Sequence, residues 1–245
     1  MKIAVAGKGG AGKTTVSGTI ARALGRAGHD VIAVDADVNP MLGISLGLGM
    51  DATERLATVR RGLDTGETPH EPTTAGMLKR FGADAPDGVR VLVASRVEMP
   101  DSGCGCCGTT AHGLLSTLED TGHTVLGDME AGIGVLTRMK PDTLDVLLVV
   151  ANPAPKSIEV ARRAVEAAVA RNCRVILVAN RVKDADDLHA IRAVLGDDLV
   201  VIPEDPVIAQ ADAEGRAPID VDPDAPGVLA LIALSERLGV PAQAA

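Results

Sequence analysis

The chain has 245 residues, of which 46% are hydrophobic and 23% charged, a balance typical of a folded globular protein and not of a disordered one. Its 33 acidic and 24 basic side chains give a net charge of −9, which disfavours a protein that coats nucleic acid, because phosphate binding needs a basic face. One Phe, no Trp and no Tyr also disfavour stacking of single-stranded bases.

The N-terminus indicates where the protein works. From Met1 a short apolar stretch leads directly into a glycine-rich turn, and this stretch is too short for a secretory signal peptide. No apolar run approaches the ~18 residues that a membrane span requires. We therefore expect a cytoplasmic protein with neither a membrane nor a nucleic acid as its partner.

Short apolar runs alternate with segments of helical length along the chain. The runs are rich in Val, Ile and Leu and lack polar alternation, which is typical of strands buried on both faces of a parallel sheet. We predict one α/β domain over 1–245, a three-layer fold with a mostly parallel central sheet flanked by helices, in which 51–88 is an irregular, partly helical insertion. The predicted strands are Ile3–Ala6, Val31–Val34, Val89–Ala94, Thr124–Leu126, Val146–Val150, Val175–Ala179 and Leu199–Ile202, and the predicted helices are Thr14–Ala27, Ala111–Glu119, Ser157–Arg171, Ala185–Leu195 and Val228–Leu238.

A phosphate-binding loop follows the first predicted strand. Residues 7–15 read GKGGAGKTT, which fits the pattern G-x-x-x-x-G-K-[ST] between a strand and a helix. Backbone amides in such a loop wrap phosphates, and the helix N-terminus adds its positive dipole. We expect Lys13 to reach the β- and γ-phosphates, Thr14 to bind Mg²⁺ and Thr15 to contact the α-phosphate. The nucleotide-binding residues of the loop are then Gly9, Gly10, Ala11, Gly12, Lys13, Thr14 and Thr15.

Carboxylates follow two further strands. Asp35 and Asp37 come after Val31–Val34, and Asp128 comes after Thr124–Leu126, at the ligand-binding edge of a parallel sheet. A strand that ends in Asp is the Walker B arrangement, whose carboxylate holds Mg²⁺ directly or through water. For Asp35 and Asp37 a helix cap or turn is the alternative. Gly132 could let the following loop move, and Glu130 is either a switch contact or solvated.

A cysteine cluster forms the third group of candidate ligands. Cys104, Cys106 and Cys107 lie in a glycine-rich run before a predicted helix, where a thiol pKa is lowered, and such crowding is poor geometry for disulfides. One Cys-x-Cys pair cannot complete a tetrahedral site, but two chains could supply four thiolates for Zn²⁺, Ni²⁺ or an iron–sulfur cluster. Cys104 and Cys106 are the predicted ligands and Cys107 is a possible one. His112 is a possible further ligand or a helix-surface residue.

The loop resembles a known family. A lysine at its start, in Lys8 to Thr14 (KGGAGKT), is similar to the deviant Walker A loop shared by the nitrogenase iron protein, the MinD/ParA positioning ATPases and related metal-site ATPases. The resemblance implies an ATP-dependent homodimer in which Lys8 reaches the partner's nucleotide. It implies that Asp37 positions the attacking water, that Asp35 supports the Mg²⁺ site and that Asn39 belongs to the first switch. It also implies that Asn180 and Asp205 contact the adenine base, with a turn residue as the alternative for each.

The Cys-x-Cys motif indicates which group within this family the chain resembles. Together with residues 128–133 (DMEAGI) it is similar to the nickel-insertion accessory ATPases of carbon monoxide dehydrogenase. This implies an ATPase that carries Ni²⁺ or Zn²⁺ to a client metalloenzyme such as carbon monoxide dehydrogenase, with ATP and Mg²⁺ as cofactors. An alternative is a carrier of a 4Fe-4S cluster shared by two subunits, or an ATP-gated electron donor, because residues 106–109 resemble the cluster loop of the nitrogenase iron protein. A positioning ATPase that patterns DNA or membrane is the second alternative.

Overall fold

A central sheet organises the computed structural model, which describes residues 1–37, 39–56, 71, 73–94, 115, 118–120, 122–130, 132 and 134–240. The described strands lie in the order β3-β4-β2-β5-β1-β6-β7-β8, and all neighbours are parallel except β3 and β4. The strands are β1 (Lys2–Gly7), β2 (Val31–Ala36), β3 (Ala83–Asp84), β4 (Arg90–Val93), β5 (Thr124–Met129), β6 (Val146–Ala151), β7 (Arg174–Val182) and β8 (Leu199–Pro203).

Helices cover both faces of this sheet, as the sequence predicted for a three-layer fold. Residues 50–56 form one of them, α3. The others are α1 (Lys13–Arg26), α2 (Leu42–Ser45), α4 (Thr74–Phe81), α5 (Gly134–Arg138), α6 (Pro155–Val169), α7 (Ala185–Leu195), α8 (Pro206–Glu214), α9 (Pro218–Val221) and α10 (Pro226–Arg237), and a 3₁₀ turn spans Pro86–Gly88.

The burial of β1 shows why its sequence does not alternate. Ile3 and Val5 pack into the cluster beneath α1 and α10, whereas Ala4 and Ala6 pack into the cluster on the opposite face. All four side chains are fully buried. A strand with helices on both faces needs apolar side chains at every position, so the predicted uninterrupted apolar runs are confirmed for the central strands.

The strands extend beyond their predicted ends. Asp128 lies inside β5, directly opposite Asp35 of β2, and Asn180 and Arg181 lie inside β7. The backbone ladder continues through these polar residues, because strand pairing depends on amide and carbonyl groups and not on side-chain polarity. The polar side chains therefore belong to the last residues of the strands and share one edge of the sheet.

The less regular segment is partly helical, as predicted. It contains α3, α4, the short edge strand β3 and the 3₁₀ turn, and its residues 57–70 and 72 lie outside the described part. The predicted helix Ala111–Glu119 also falls mostly outside, with Leu115 helical and residues 118–120 not helical, so that prediction extends too far at its C-terminal end. Helices α2, α5, α8 and α9 were not predicted, because they are short or weakly amphipathic.

A buried arginine joins four segments on the α1 face of the sheet. Arg22 of α1 is 2% exposed; its Nε lies 2.6 Å from Asp87 Oδ2 and its Nη2 lies 2.7 Å from Asp220 Oδ1. Its Nη1 also donates to the carbonyl of Leu46 at 2.9 Å. Arg26, one turn further along α1, contacts the same two carboxylates at 2.8 and 3.4 Å. The guanidinium of Arg22 thus connects α1 to the 3₁₀ turn, to the end of α2 and to α9.

Candidate functional site

The phosphate loop has backbone conformations that require glycine. Gly10 and Gly12 have φ values of 79° and 93°, in the left-handed region that other residues rarely adopt. A Cβ on Gly12 would also lie 2.3 Å from Asn180 Nδ2. Gly12 caps α1 without any side-chain acceptor, so the first amides of this helix are free to bind an anion. The loop therefore has backbone conformations suited to an anion, and its contacts with phosphates remain a prediction.

A cavity of about 410 Å³ lies over this loop. It contains the predicted phosphate-contacting residues together with the predicted switch aspartate Asp37. Lys13 is 6% exposed and lines this cavity, so its positive charge is available to phosphates bound there. The lining residues are Gly9, Gly10, Gly12, Lys13, Thr14, Thr15, Asp37, Met41, Ile44, Ser45, Arg181 and Asp212.

Asp128 provides a buried carboxylate beside the loop. Its Oδ1 lies 3.1 Å from Ser17 Oγ, and Thr14 also hydrogen-bonds to it. Burial raises the pKa of Asp128 to about 6, against the opposing effects of Thr14, Lys13 and Ser17. A hydroxyl and a carboxylate in contact are the oxygen ligands that Mg²⁺ prefers, and a bound cation would favour the ionised carboxylate. The donor set therefore fits Mg²⁺.

Asp35 accepts two backbone hydrogen bonds, as the cap-or-turn alternative for this residue predicts. Its Oδ2 accepts a hydrogen bond from the amide of Leu42 at 2.8 Å, and its Oδ1 accepts one from the amide of Asp37 at 3.2 Å. Burial and the neighbouring charge of Asp128 raise the pKa of Asp35 well above its usual range. In this structure Asp35 holds the segment from Asp37 to α2 against the sheet. Its support of Mg²⁺ remains a prediction.

The two predicted switches follow β2 and β5, which lie on the same side of β1 in the sheet. Asp37 lines the phosphate cavity, and its Oδ1 accepts a hydrogen bond from the amide of Asn39, which is itself exposed. Gly132 has a φ of 98° and its amide donates to the carbonyl of Gly7 at 3.0 Å, which links the segment after β5 to the start of the phosphate loop. Glu130 is partly exposed, which leaves both alternatives for it open.

A second cavity, of about 280 Å³, continues from the phosphate loop towards the C-terminal ends of β7 and β8. Asn180 is buried at its wall, and its Nδ2 donates to the carbonyl of Ala11 at 2.8 Å. Gly12 and Thr15 of the phosphate loop line both cavities, so the second cavity adjoins the first. It is lined by Gly12, Thr15, Val16, Asn180, Arg181, Pro203, Glu204, Asp205, Ile208, Ala209, Asp212 and Leu231.

Asp205 also has a structural role in this wall. Its Oδ1 accepts a hydrogen bond from the amide of Val207 at 2.8 Å and so caps α8, and its Oδ2 accepts one from Gly227 at 2.6 Å. Both oxygens thus have backbone partners, while Asp205 still lines the cavity. Sequence reasoning did not single out Arg181, Glu204 and Asp212, which line it too. The sequence indicated Arg181 and Glu204 only indirectly, because each stands beside a predicted base contact at the end of a strand. It gave no indication of Asp212.

The remaining predictions concern Lys8 and the cysteines. Lys8 is half-buried and its Nζ lies 3.3 Å from the carbonyl of Gly9, on the rim of the loop. Cys104, Cys106, Cys107 and His112 lie outside the described residues, so the predicted thiolate site stays a prediction. Within the described ranges no group of three His, Cys, Asp or Glu side chains is arranged to hold a metal ion. Cys173 is half-buried and packs against the core.

The raised pKa of Asp128 gives a testable pH dependence for the metal-free protein. Because the folded pKa of about 6 exceeds the ordinary value of 3.8, the folded state binds more protons between these values, and stability is lost as the pH rises from about 4 to 6. We expect Asp128→Asn to remove this loss, so that its free energy of unfolding rises relative to the wild type by up to about 2 kcal/mol across that window.

Urea unfolding at pH 4, 5, 6 and 7 with EDTA measures this difference. Asp198→Asn, which removes an exposed carboxylate, is the control for the loss of a surface charge. A difference between Asp128→Asn and wild type that is constant over this pH range, or that falls, contradicts the assignment of the buried charge.

The chain is similar to known nucleotide-binding proteins over most of its length. The family described as the CobQ/CobB/MinD/ParA nucleotide binding domain matches residues 2–219. The carbon monoxide dehydrogenase accessory protein CooC of Rhodospirillum rubrum is 33% identical over an alignment of 261 positions that covers 98% of each chain.

Solved structures agree with the fold. The septum site-determining protein MinD of Pyrococcus horikoshii, in complex with Mg-ADP, is 22% identical with a TM-score of 0.75, covering 98% of this chain and 96% of that one. The cell division ATPase MinD of Pyrococcus furiosus is 25% identical with a TM-score of 0.72, covering 97% of each chain. In the described part of the chain, the helices are too short or too polar to cross a membrane.

Proposed function

This chain belongs to the CobQ/CobB/MinD/ParA nucleotide-binding family of ATPases, and from that premise we propose that it is an ATP-driven metallochaperone. In this proposal a homodimer binds Ni²⁺ or Zn²⁺ through Cys104 and Cys106 and delivers the metal to a client such as carbon monoxide dehydrogenase. The observation that carries the proposal is the near full-length similarity to CooC in a chain that also has a Cys-x-Cys motif.

The described residues supply the nucleotide half of this activity. The amides that open α1 and the ammonium group of Lys13 bind and neutralise the phosphates, while Thr14 and Asp128 hold Mg²⁺. Mg²⁺, when bound, offsets the negative charge of the β- and γ-phosphates. Asp37 lines the phosphate cavity, where its carboxylate can orient the attacking water. Asp35 holds Asp37 in place through its backbone amide.

Dimerisation would complete the nucleotide site and the thiolate metal site. Lys8 lies on the rim of the loop, where it can reach a nucleotide bound by a partner subunit. Two cysteines per chain give four thiolates across a two-fold axis, which is a complete tetrahedral site for a soft metal. The segment with these cysteines joins β4 to β5, the strand that contains Asp128.

We expect the double substitution Cys104→Ser with Cys106→Ser to abolish metal binding and to spare ATP hydrolysis. Metal content of anaerobically purified protein should be about one Ni²⁺ or Zn²⁺ per two chains in the wild type and near zero in the variant. The rate of ATP hydrolysis should stay within about twofold, because serine keeps the loop's size and the nucleotide residues are untouched. Cys173→Ser, in the half-buried core position, is the matched control and should keep the metal.

Metal retained by the double variant, with wild-type stoichiometry, would contradict the proposal. The absorption spectrum separates the alternative that residues 106–109 favour, a shared iron–sulfur cluster. About four Fe per two chains with a broad band near ~400 nm identifies the cluster, whereas Ni²⁺ or Zn²⁺ without that band supports the metallochaperone. With neither Trp nor Tyr in the chain, absorption by aromatic side chains barely masks metal–thiolate bands.

A further inference from the structure

The two cavities of the nucleotide site meet at a junction that the family assignment leaves unexplained. Four residues line both cavities, namely Gly12, Thr15, Arg181 and Asp212. A nucleotide with its phosphates in one cavity and its base in the other must cross this junction with the ribose, because the ribose joins the base to the α-phosphate. Gly12 and Thr15 belong to the phosphate loop. Arg181 and Asp212 come from β7 and α8, and neither has a role assigned by the loop motif.

Asp212 has a carboxylate without a partner in the described part of the chain. It lies on α8 and is exposed, and its side chain makes no hydrogen bond or ion pair with another described residue. Glu214, two residues further along, differs, because its carboxylate accepts hydrogen bonds from Gln210 and Arg216. Two free carboxylate oxygens can accept two hydroxyl hydrogens at once, which matches the neighbouring hydroxyls of a ribose.

Arg181 is directed to the junction by an irregularity in β7. The pairing of β7 with β8 shifts register between Asn180 and Val182, and Arg181 between them has a φ of 59°. This left-handed conformation is unfavourable for arginine and persists only where the surroundings impose it. Asn180 is held by the carbonyl of Ala11 and Val182 is buried, so the bulge is fixed on both sides. Bulges commonly redirect a side chain beside an active site.

The result is a guanidinium next to the phosphate loop. The Nε of Arg181 lies 3.9 Å from the position of a Cβ on Gly12, and the side chain has no ion-pair partner among the described residues. Its charge is therefore available to a ligand at the junction. The α-phosphate is the anionic group closest to the ribose.

We propose that Arg181 and Asp212 form the ribose subsite of this ATPase. Asp212 accepts hydrogen bonds from the 2′- and 3′-hydroxyls, and Arg181 donates to the charged oxygens of the α-phosphate. The pair makes the site selective for ribonucleotides over deoxyribonucleotides. The inference rests on nucleotide binding alone and does not depend on the proposed metal delivery.

Binding of ADP and of 2′-deoxy-ADP, measured by calorimetry with Mg²⁺ and without a soft metal, tests this subsite. We expect the wild type to bind ADP about tenfold more tightly than 2′-deoxy-ADP, as for one hydrogen bond to a charged group. Asp212→Ala should weaken 2′-deoxy-ADP binding about tenfold, through the lost bond to the 3′-hydroxyl, and ADP binding about a hundredfold, through both lost bonds, so that the preference disappears. Glu214→Gln, a loss of a carboxylate on the same helix, is the matched control and should keep the wild-type preference.

The same calorimetric measurement also tests the role of Arg181. Arg181→Ala should weaken both nucleotides by about the same factor, on the order of tenfold, since the α-phosphate is common to both. Should Asp212→Ala fail to fold, Asp212→Asn keeps one acceptor oxygen and should leave about a threefold preference. Equal binding of both nucleotides by the wild type, or a wild-type preference in Asp212→Ala, overturns the role of Asp212. Unchanged affinity in Arg181→Ala overturns the role of Arg181.

Discussion

Lys13→Ala is expected to lower the rate of ATP hydrolysis by at least ~100-fold and to abolish the ATP-dependent dimer. Lys13 is the buried cation of the phosphate cavity, and its charge compensates the β- and γ-phosphates both in the bound state and during cleavage. Alanine removes this charge and leaves part of the phosphate charge without compensation. Phosphate release measures the rate, and gel filtration with and without ATP measures the dimer.

Lys79→Ala is the matched control for Lys13, because Lys79 is an exposed lysine on α4, away from the cavities described above. It should retain the wild-type rate and the ATP-dependent dimer. An ATP-induced dimer that persists in Lys13→Ala would contradict the assignment of this loop as the site through which nucleotide drives dimerisation.

Arg22→Ala is expected to lower the free energy of unfolding by about 3 kcal/mol. The substitution removes the buried guanidinium that neutralises Asp87 and Asp220, and it leaves the carbonyl of Leu46 without its donor. The guanidinium beside Asp87 holds the pKa of that carboxyl below its usual range against the effect of burial, so the pair contributes to the folded state at neutral pH. Urea unfolding followed by circular dichroism measures the change.

Arg26→Ala is the control for this network. Arg26 contacts the same two carboxylates but is 39% exposed, so its loss should cost about 1 kcal/mol or less. The difference between the two variants in free energy of unfolding measures the effect of burial, because the two arginines share partners and differ in exposure. Equal effects of the two substitutions would show that the Arg22 network adds nothing beyond a surface ion pair.

Two neighbouring buried carboxylates make the nucleotide site favourable for a divalent cation. Asp35 and Asp128 are paired across β2 and β5, and each is almost fully buried. Burial raises the pKa of both, and the charge of Asp128 adds to the rise for Asp35. Without a cation the pair is unfavourable when ionised. A divalent cation would relieve this cost, so we expect nucleotide and Mg²⁺ to bind this site together.

The sequence by itself determined the features that depend on contiguous residues. The phosphate loop, its glycines and Lys13 follow from nine consecutive residues, because the loop's geometry is local. The central strands follow from apolar runs, because burial on both faces leaves no polar positions. The family follows from the same loop, and the comparisons confirm it. The thiolate site, which rests on residues outside the described part, remains a prediction from the sequence.

Only the tertiary structure decided the contacts between distant segments. Arg22 meets Asp220, 198 residues away, and no local pattern records such a pair. The same holds for Asp35, whose oxygens hold backbone amides, and for Arg181 and Asp212, which a strand irregularity and a helix bring to one junction. Side-chain charge is readable in a sequence, but the partner that satisfies it is set by how β-strands and helices pack, and that packing is a property of the whole fold.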